Sequence, residues 1–169
     1  METGTNESLA AKDIVELILV DHKPLKELIK ILKKPEGDDV KRFEAFETFA
    51  PLLLAHAEPE EMSLYEYMKK DKQMLVDALE GDTEHSLASQ LIDEIRATED
   101  KNLWSAKVKV LAEMVEHHIK EEEGTMLPDF RKTTTLEERV ALGDEYTQLK
   151  SQATTSNKQT IDSEFSQAR

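Results

Sequence analysis

Two pairs of residues in this chain have the spacing of metal ligands on a helix, His56 with Glu60 and His118 with Glu122. Residues four apart lie on one face of a helix, one turn above the other, so each pair offers an imidazole and a carboxylate to the same place. A single pair of this kind is commonly an ion pair in the core or at the surface. Here the pattern occurs twice, and the repetition favours a functional site.

His118 lies on the apolar stripe of its predicted helix, because Val115, Met114 and Leu111 stand three, four and seven residues before it. Burying an imidazole beside a carboxylate is costly unless both groups have a partner. A metal ion satisfies the two groups together. The position of His118 therefore favours metal binding.

The first pair and the second are each preceded by another acid and histidine. Asp21-His22 stands 34 residues before His56, and Glu84-His85 stands 33 residues before His118. This duplication includes four of the five histidines and predicts two antiparallel helix pairs related by an approximate two-fold axis. One ligand face from each helix would then meet at one level of the core. The predicted metal ligands are His22, His56, Glu60, His85, His118 and Glu122.

Four imidazoles and two carboxylates are too many for one tetrahedral zinc ion, but they suit two six-coordinate ions bridged by the carboxylates. The chain has no cysteine, which excludes thiolate-bound zinc, iron–sulfur clusters and thiolate catalysis. Each ion would receive two histidines, and an oxo or hydroxo group with an exogenous ligand would complete the coordination. Iron fits this set best, while residue type leaves manganese or mixed metals open.

The hydrophobic pattern predicts an all-α fold. Only 5 Gly and 5 Pro occur in 169 residues, and no alternating β-branched run predicts a strand. Four helices are expected over about 8–34, 39–70, 71–97 and 103–130, with a break in the third near Gly81 left open. A capping box at Thr135 and Glu138 predicts a short fifth helix to about Lys150. The expected architecture is an up-down-up-down antiparallel four-helix bundle with this short helix at its C-terminus.

Composition and charge limit the possible locations and partners. One domain over 8–150 is expected, with a flexible N-terminus at 1–7 and a polar, disordered tail at 151–169. The formal net charge of −14, from 36 acids and 22 bases, argues against nucleic acid or an anionic membrane as partner. Without a signal peptide or an apolar run of about 18 residues, a cytoplasmic protein is expected.

The order His, His-x-x-x-Glu, His, His-x-x-x-Glu resembles the hemerythrin-like, or HHE cation-binding, family over about residues 8–150. The Asp-His of the first helix, the acidic pairs Glu60-Glu61 and Glu122-Glu123, and the Leu-Pro that ends the fourth helix add to the resemblance. It implies a four-helix bundle around two non-haem iron ions (Fe2+/Fe3+), bridged by an oxo or hydroxo group. It also places the six residues named above in the ligand positions.

The chain departs from the oxygen-carrying hemerythrins at two places. Those carriers have a further histidine four residues after the third-helix ligand, where this chain has Ser89. The site is therefore expected to have more open or water-bound positions, or to recruit another carboxylate, and to be more reactive. The carriers also have one more residue between His and carboxylate in the second motif, a spacing that only His117 with Glu122 offers here. His117 is expected at the surface, since it lies about 100° around the helix from His118.

Other polar residues near the ligands have two interpretations. Asp21 and Glu84 are candidates to orient imidazoles, although adjacent side chains on a helix point apart. Tyr65 is expected to be a core aromatic, with a hydrogen bond near the site as the alternative. Glu61 is also a candidate extra ligand or neighbour of the site. Three acids are expected to be mainly solvated: Glu61, Glu121 and Glu123.

Three functions of different class follow. The principal prediction is a module that binds or senses a small ligand such as dioxygen at the di-iron centre. The alternative is a di-iron enzyme that reduces peroxide or nitric oxide in stress protection. The third is a bundle whose histidines and glutamates pair with one another without metal.

Overall fold

Helices follow one another along the described chain, which confirms the predicted all-α fold class. The computed structural model describes residues 12–34 and 39–167, with side chains as far as Ala153. The α-helices are α1 (Ile14–Leu32), α2 (Asp39–Glu60), α3 (Glu66–Met68), α4 (Leu75–Arg96), α5 (Lys101–Glu121), α6 (Leu127–Thr133) and α7 (Leu136–Gln167). Two π-helical turns, π1 (Glu61–Tyr65) and π2 (Glu122–Met126), directly follow α2 and α5. No strand occurs among these residues, and none of their helices is long and apolar enough to cross a membrane.

Short acidic side chains set where two of the helices begin. Asp13 caps α1 by accepting a hydrogen bond from the Val15 N–H at 2.9 Å, so this helix begins after residue 13. Residues 8–11 of the expected helix lie outside the described residues. Asp100 caps α5 in the same way, accepting from the Leu103 N–H at 2.8 Å.

The third and fifth helices differ in length from their predictions. Residues 69–74 form turns, in which the Asp71 side chain accepts from the Gln73 N–H at 2.8 Å, so α4 begins at Leu75. The predicted capping box is confirmed, because Thr135 and Glu138 exchange hydrogen bonds. The fifth helix is not short, however, and its backbone runs to Gln167. No Gly or Pro follows Lys150 to stop it.

The apolar interior is divided into two clusters. One contains Ile29, Phe49, Ile92 and Leu111 among others, from α1, α2, α4 and α5. The other is built around Ile14, Leu64, Ala78, Phe130 and Tyr146, and α7 contributes to it. Along each of these four helical segments, the predicted ligands fall between members of the two clusters. The bundle therefore has a polar layer between two apolar ones.

Gly81 lies inside α4, which passes without a break through the position where one was left open. A Cβ at residue 81 would lie 2.6 Å from the hydroxyl oxygen and Cζ of Tyr65, closer than atoms can approach. Glycine in a helix costs about 1 kcal/mol relative to alanine. Here it makes room for a buried tyrosine that reaches the polar layer.

Candidate metal centre

The structure brings together all six residues of the predicted ligand set. Each helix of the bundle core contributes at least one of them, and Glu122 begins the π2 turn. None has an exposed fraction above 5 %. Buried imidazoles and carboxylates in one layer require partners that are themselves polar or charged. The residues are His22, His56, Glu60, His85, His118 and Glu122.

Each of the two carboxylates lies between one histidine from each half of the chain. The Oε2 atom of Glu60 is 3.3 Å from the Nε2 atom of His56 and 3.7 Å from that of His85. The Oε2 atom of Glu122 is 3.2 Å from the Nε2 atom of His22 and 3.5 Å from that of His118. A carboxylate between two imidazoles of different halves is positioned to bridge.

The ligand atoms form two groups, in each of which all atoms lie within 4.8 Å of one another. One group combines the two histidines of the first half with the carboxylate of the second. The other combines the two histidines of the second half with the carboxylate of the first. The groups are His22, His56 and Glu122, and Glu60, His85 and His118.

Unpartnered atoms test whether this donor set suits a cation. Five buried side-chain atoms of the described residues have no hydrogen-bond partner, and all belong to the predicted ligands: Nε2 of His22 and His56, both carboxylate oxygens of Glu60, and Oε2 of Glu122. An unsatisfied buried polar atom costs about 1–3 kcal/mol, more when it is charged. Cations held between these lone pairs would satisfy them, so the residues fit a metal centre.

The outer nitrogen of every histidine in the ligand set has an oxygen partner. Each Nδ1 atom lies within hydrogen-bond distance of a carboxylate or hydroxyl oxygen. If Nδ1 carries the proton and donates outward, Nε2 presents its lone pair to the centre, as a metal-binding imidazole requires. The Nδ1 partners are Glu123 for His22 at 3.1 Å, Tyr146 for His56 at 3.0 Å, Glu61 for His85 at 3.0 Å, and Glu84 for His118 at 2.5 Å.

Asp21 and Glu84 act on the histidine of the neighbouring helix and not on the adjacent residue. Glu84 accepts from His118, while Asp21 lies 3.6 Å from the Nδ1 atom of His56 and accepts a 2.5 Å hydrogen bond from the Tyr146 hydroxyl. Adjacent side chains on a helix point apart, as expected, so neither acid contacts the histidine next to it. Each acid instead lies beside a histidine of the paired helix.

Glu61 and Glu123 connect the two halves of the chain. Glu61 of the first half contacts His85 of the second, and Glu123 of the second half contacts His22 of the first. The expectation that Glu123 is mainly solvated is wrong, since its side chain is only 27 % exposed and contacts an imidazole. Glu61 is 38 % exposed and contacts His85, which agrees with the alternative that it is a neighbour of the site. The π1 and π2 turns begin at or next to these positions, and such turns often accompany functional sites.

Two tyrosines complete the surroundings of the centre. Tyr65 is fully buried, stacks on His85 with ring centroids 5.4 Å apart, and donates a 2.6 Å hydrogen bond to Oε1 of Glu122. It is thus both a core aromatic and a neighbour of the site. Tyr146 was not identified from the sequence, because it lies 90 residues from His56 and no motif surrounds it. The only feature of the sequence that indicates its burial is its position four residues after Leu142, on the apolar stripe of α7.

The profile of the Hemerythrin HHE cation binding domain matches residues 13–130, more than half of the chain. The chain belongs to this family. No curated protein and no solved structure matches this chain. In this hemerythrin domain the matched region runs from Asp13, the cap of α1, to Phe130 in α6.

Charge pairing in the hemerythrin centre shifts the pKa values of its groups. Burial lowers the pKa of His56, but the charge of Glu60 and the nearby carboxylate of Asp21 outweigh it and raise the pKa to about 10. Burial likewise opposes the charge of Glu122 at His118, where the pKa is raised to about 9. Burial raises the pKa of Glu122, but the charge of His118 holds it well below its usual range. Without metal, the centre favours protonated imidazoles at His56 and His118 beside an ionised Glu122.

The metal-free protein is therefore expected to lose stability as pH rises. The folded-state pKa values of His56 and His118 lie above the ordinary 6.5, so their contribution to folding is complete below about pH 6.5 and is lost as pH rises through about 9 to 10. Thermal unfolding in the presence of a chelator should show Tm falling over this range. At the acidic end of this pH range, the Tm of the metal-loaded protein should instead rise with pH, because ligation requires neutral imidazoles. A chelated sample with constant Tm from pH 6.5 to 10 would contradict the paired-charge description.

Two clefts reach the hemerythrin centre from the surface. A cleft of about 740 Å³ between α2 and α4 is lined by Glu61, His85 and Ser89 among others. A smaller one of about 160 Å³ between α4 and α5 ends at His118 and Glu122. The small side chain of Ser89, at the position where the carriers have a histidine, helps to leave the wider cleft open.

Proposed function

We propose that this hemerythrin-domain protein holds two non-haem iron ions at the six ligand residues and binds or senses a small ligand, dioxygen or another diatomic molecule, there. The observation that carries the proposal is the convergence of five unpartnered buried atoms, all from the ligand set, on one layer of the bundle. Two irons bridged by an oxo or hydroxo group supply an open coordination position and reversible one-electron chemistry when bound.

The protein contributes ligands, orientation and exclusion of water. The first group of ligand atoms would hold one iron and the second group the other, with Glu60 and Glu122 spanning both. The four Nδ1 contacts fix the imidazole rings and their tautomers. The two apolar clusters flank the layer on either side and exclude water from those directions.

The arrangement of the helices supports an up-down-up-down order for the bundle. Helices α1 and α2 pack together, as do α4 and α5, and α1 also packs on α5. Each connection within a pair is short, which is typical of antiparallel neighbours. This order would bring the four ligand faces to one level.

Reduction of peroxide or nitric oxide is the second candidate, and the α2–α4 cleft favours it. It has a volume of about 740 Å³ and reaches the ring of His85 beside Ser89, so a small oxidant and its reduction products can pass between the solvent and the centre. Metal-dependent turnover of hydrogen peroxide, compared between the wild-type chain and Glu122→Ala, separates the two functions. Turnover lost in the variant would favour the enzyme, and no turnover in either would leave the binding function.

Metal content is the first test of the proposal. Protein purified without chelator should contain about two irons per chain by elemental analysis. Its visible spectrum should show bands of an oxo-bridged centre that azide changes, because azide occupies the open position. A colourless protein that takes up no ferrous iron under anaerobic conditions would refute the proposal and favour a bundle stabilised by ion pairs alone.

A further inference from the structure

One of the five histidines, His117, has no part in the proposed centre. Its side chain is 66 % exposed on α5, and its Nε2 atom lies 3.2 Å from Oε1 of Glu121, one turn further along the helix. His117 and Glu121 thus repeat the His-x-x-x-Glu spacing one residue out of step with the buried pair. The surface placement expected from the sequence is confirmed.

Glu84 of α4 completes a group of three with these two residues. One ligand atom from each of Glu84, His117 and Glu121 lies within 4.8 Å of the others. An imidazole with two carboxylates is a ligand set that divalent first-row transition metals accept. Two of its members are largely solvated, so a cation here would exchange readily with solution.

The cleft between α4 and α5 leads inward from this group. Its volume is about 160 Å³, and its lining runs from Glu84 and Glu121 to His118 and Glu122. Asp77 and Glu80 line it as well, and no lysine or arginine does. A cleft lined by one sign of charge raises the local concentration of counter-ions.

Glu122, which lines the inner end of the cleft, has an oxygen without a hydrogen-bond partner. Glu122 is fully buried, and its Oε2 atom accepts no hydrogen bond. Glu84 joins the two ends of the cleft, since its Oε2 atom contacts the Nδ1 atom of His118 at 2.5 Å. A carboxylate has a second oxygen, so Glu84 can ligate an outer cation while it holds the inner imidazole.

We propose that Glu84, His117 and Glu121 form an outer site for a divalent first-row transition-metal ion, and that the ion passes through the α4–α5 cleft to the buried centre. The outer site stands on its own geometry. The passage inward rests on the function proposed above.

The test uses the metal-free full-length chain and Co2+ alone as the probe. Equilibrium dialysis counts bound ions, and stopped-flow absorbance of the Co2+ bands follows the filling of the buried centre. The variants are His117→Ala and Glu121→Gln, whose side chains pair with each other and form no hydrogen bond or ion pair with a buried ligand. Glu113→Gln is the matched control, because it removes one exposed carboxylate from the same helix, one turn before His117.

The wild-type chain and Glu113→Gln should bind one weak Co2+ beyond the tight ones. Both test variants should lose this weak ion, and their buried centre should fill on the order of tenfold more slowly to the same final occupancy. A weak ion retained in His117→Ala would overturn the outer site. Loss of the weak ion without a change in filling rate would overturn the inward passage. If the weak ion is lost as expected but no variant binds tight Co2+, the outer site holds and the proposed centre fails.

Discussion

Replacing Glu122 with Gln is expected to lower the affinity for the tightly bound metal ions by roughly 100-fold or more, since changes even to groups outside the ligand set cost about 10–100-fold. Its Oε2 atom lies between the imidazoles of His22 and His118, one from each half of the chain. The substitution keeps the volume of the side chain and an oxygen that can accept from Tyr65. It removes the negative charge that attracts the metal ions, or the two imidazoles when they are protonated.

Titration of the metal-free variant with Fe2+ under anaerobic conditions measures this loss, with bound iron counted after desalting. Glu113→Gln makes the same chemical change at an exposed position and should bind iron as the wild type does. Circular dichroism establishes that the variant folds without metal. Wild-type iron affinity in a folded Glu122→Gln protein would show that this carboxylate is not a ligand.

Replacing Gly81 with Ala is expected to lower the free energy of unfolding by about 1–3 kcal/mol, the usual cost of overpacking a core. The new Cβ would lie 2.6 Å from the Tyr65 ring, so the ring must move and its hydrogen bond to Glu122 is disturbed. The loss should exceed the gain in helix propensity, which is about 1 kcal/mol. Metal binding should weaken as well, because Tyr65 supports a proposed ligand.

Gly124 provides the matched control for this substitution. It lies in the π2 turn beside the same centre, but a Cβ there meets no atom within 4 Å. Chemical denaturation of both variants should show Gly124→Ala close to the wild type and Gly81→Ala clearly less stable. The double variant Tyr65→Leu and Gly81→Ala should be less destabilised than the sum of its parts, because a leucine in place of Tyr65 lacks the contacting ring atoms. Equal stability of the two glycine variants would disprove this explanation of Gly81.

The polar layer could be predicted from the sequence because its information is local and repeated. The spacing of His56 and Glu60, and again of His118 and Glu122, places each pair on one helix face whatever the rest of the chain does. The apolar residues around His118 indicate which face is buried. Periodicity and spacing together therefore predict the helices and the level at which their polar residues meet.

The surroundings of the layer depend on contacts between distant parts of the chain, which periodicity does not encode. The contact between His56 and Tyr146 joins residues 90 positions apart, and that between His22 and Glu123 joins residues 101 positions apart. The helix ends were missed for a different reason. Asp13 and Asp71 each accept one hydrogen bond from a nearby backbone N–H group. The hydrophobic pattern does not show where such single hydrogen bonds end or begin a helix.

The pairing of Glu61 with His85 and of Glu123 with His22 has a consequence for how the protein is made. During synthesis, the first half emerges with His22 exposed while its carboxylate partner is still 101 residues away. At about 5–20 residues per second, the ribosome needs roughly 5–20 s to supply that partner. Neither half contains all the groups that hold its own histidines, so a chain that ends before Tyr146, the partner of His56, cannot complete the layer. Maturation of the layer must follow translation of residue 146.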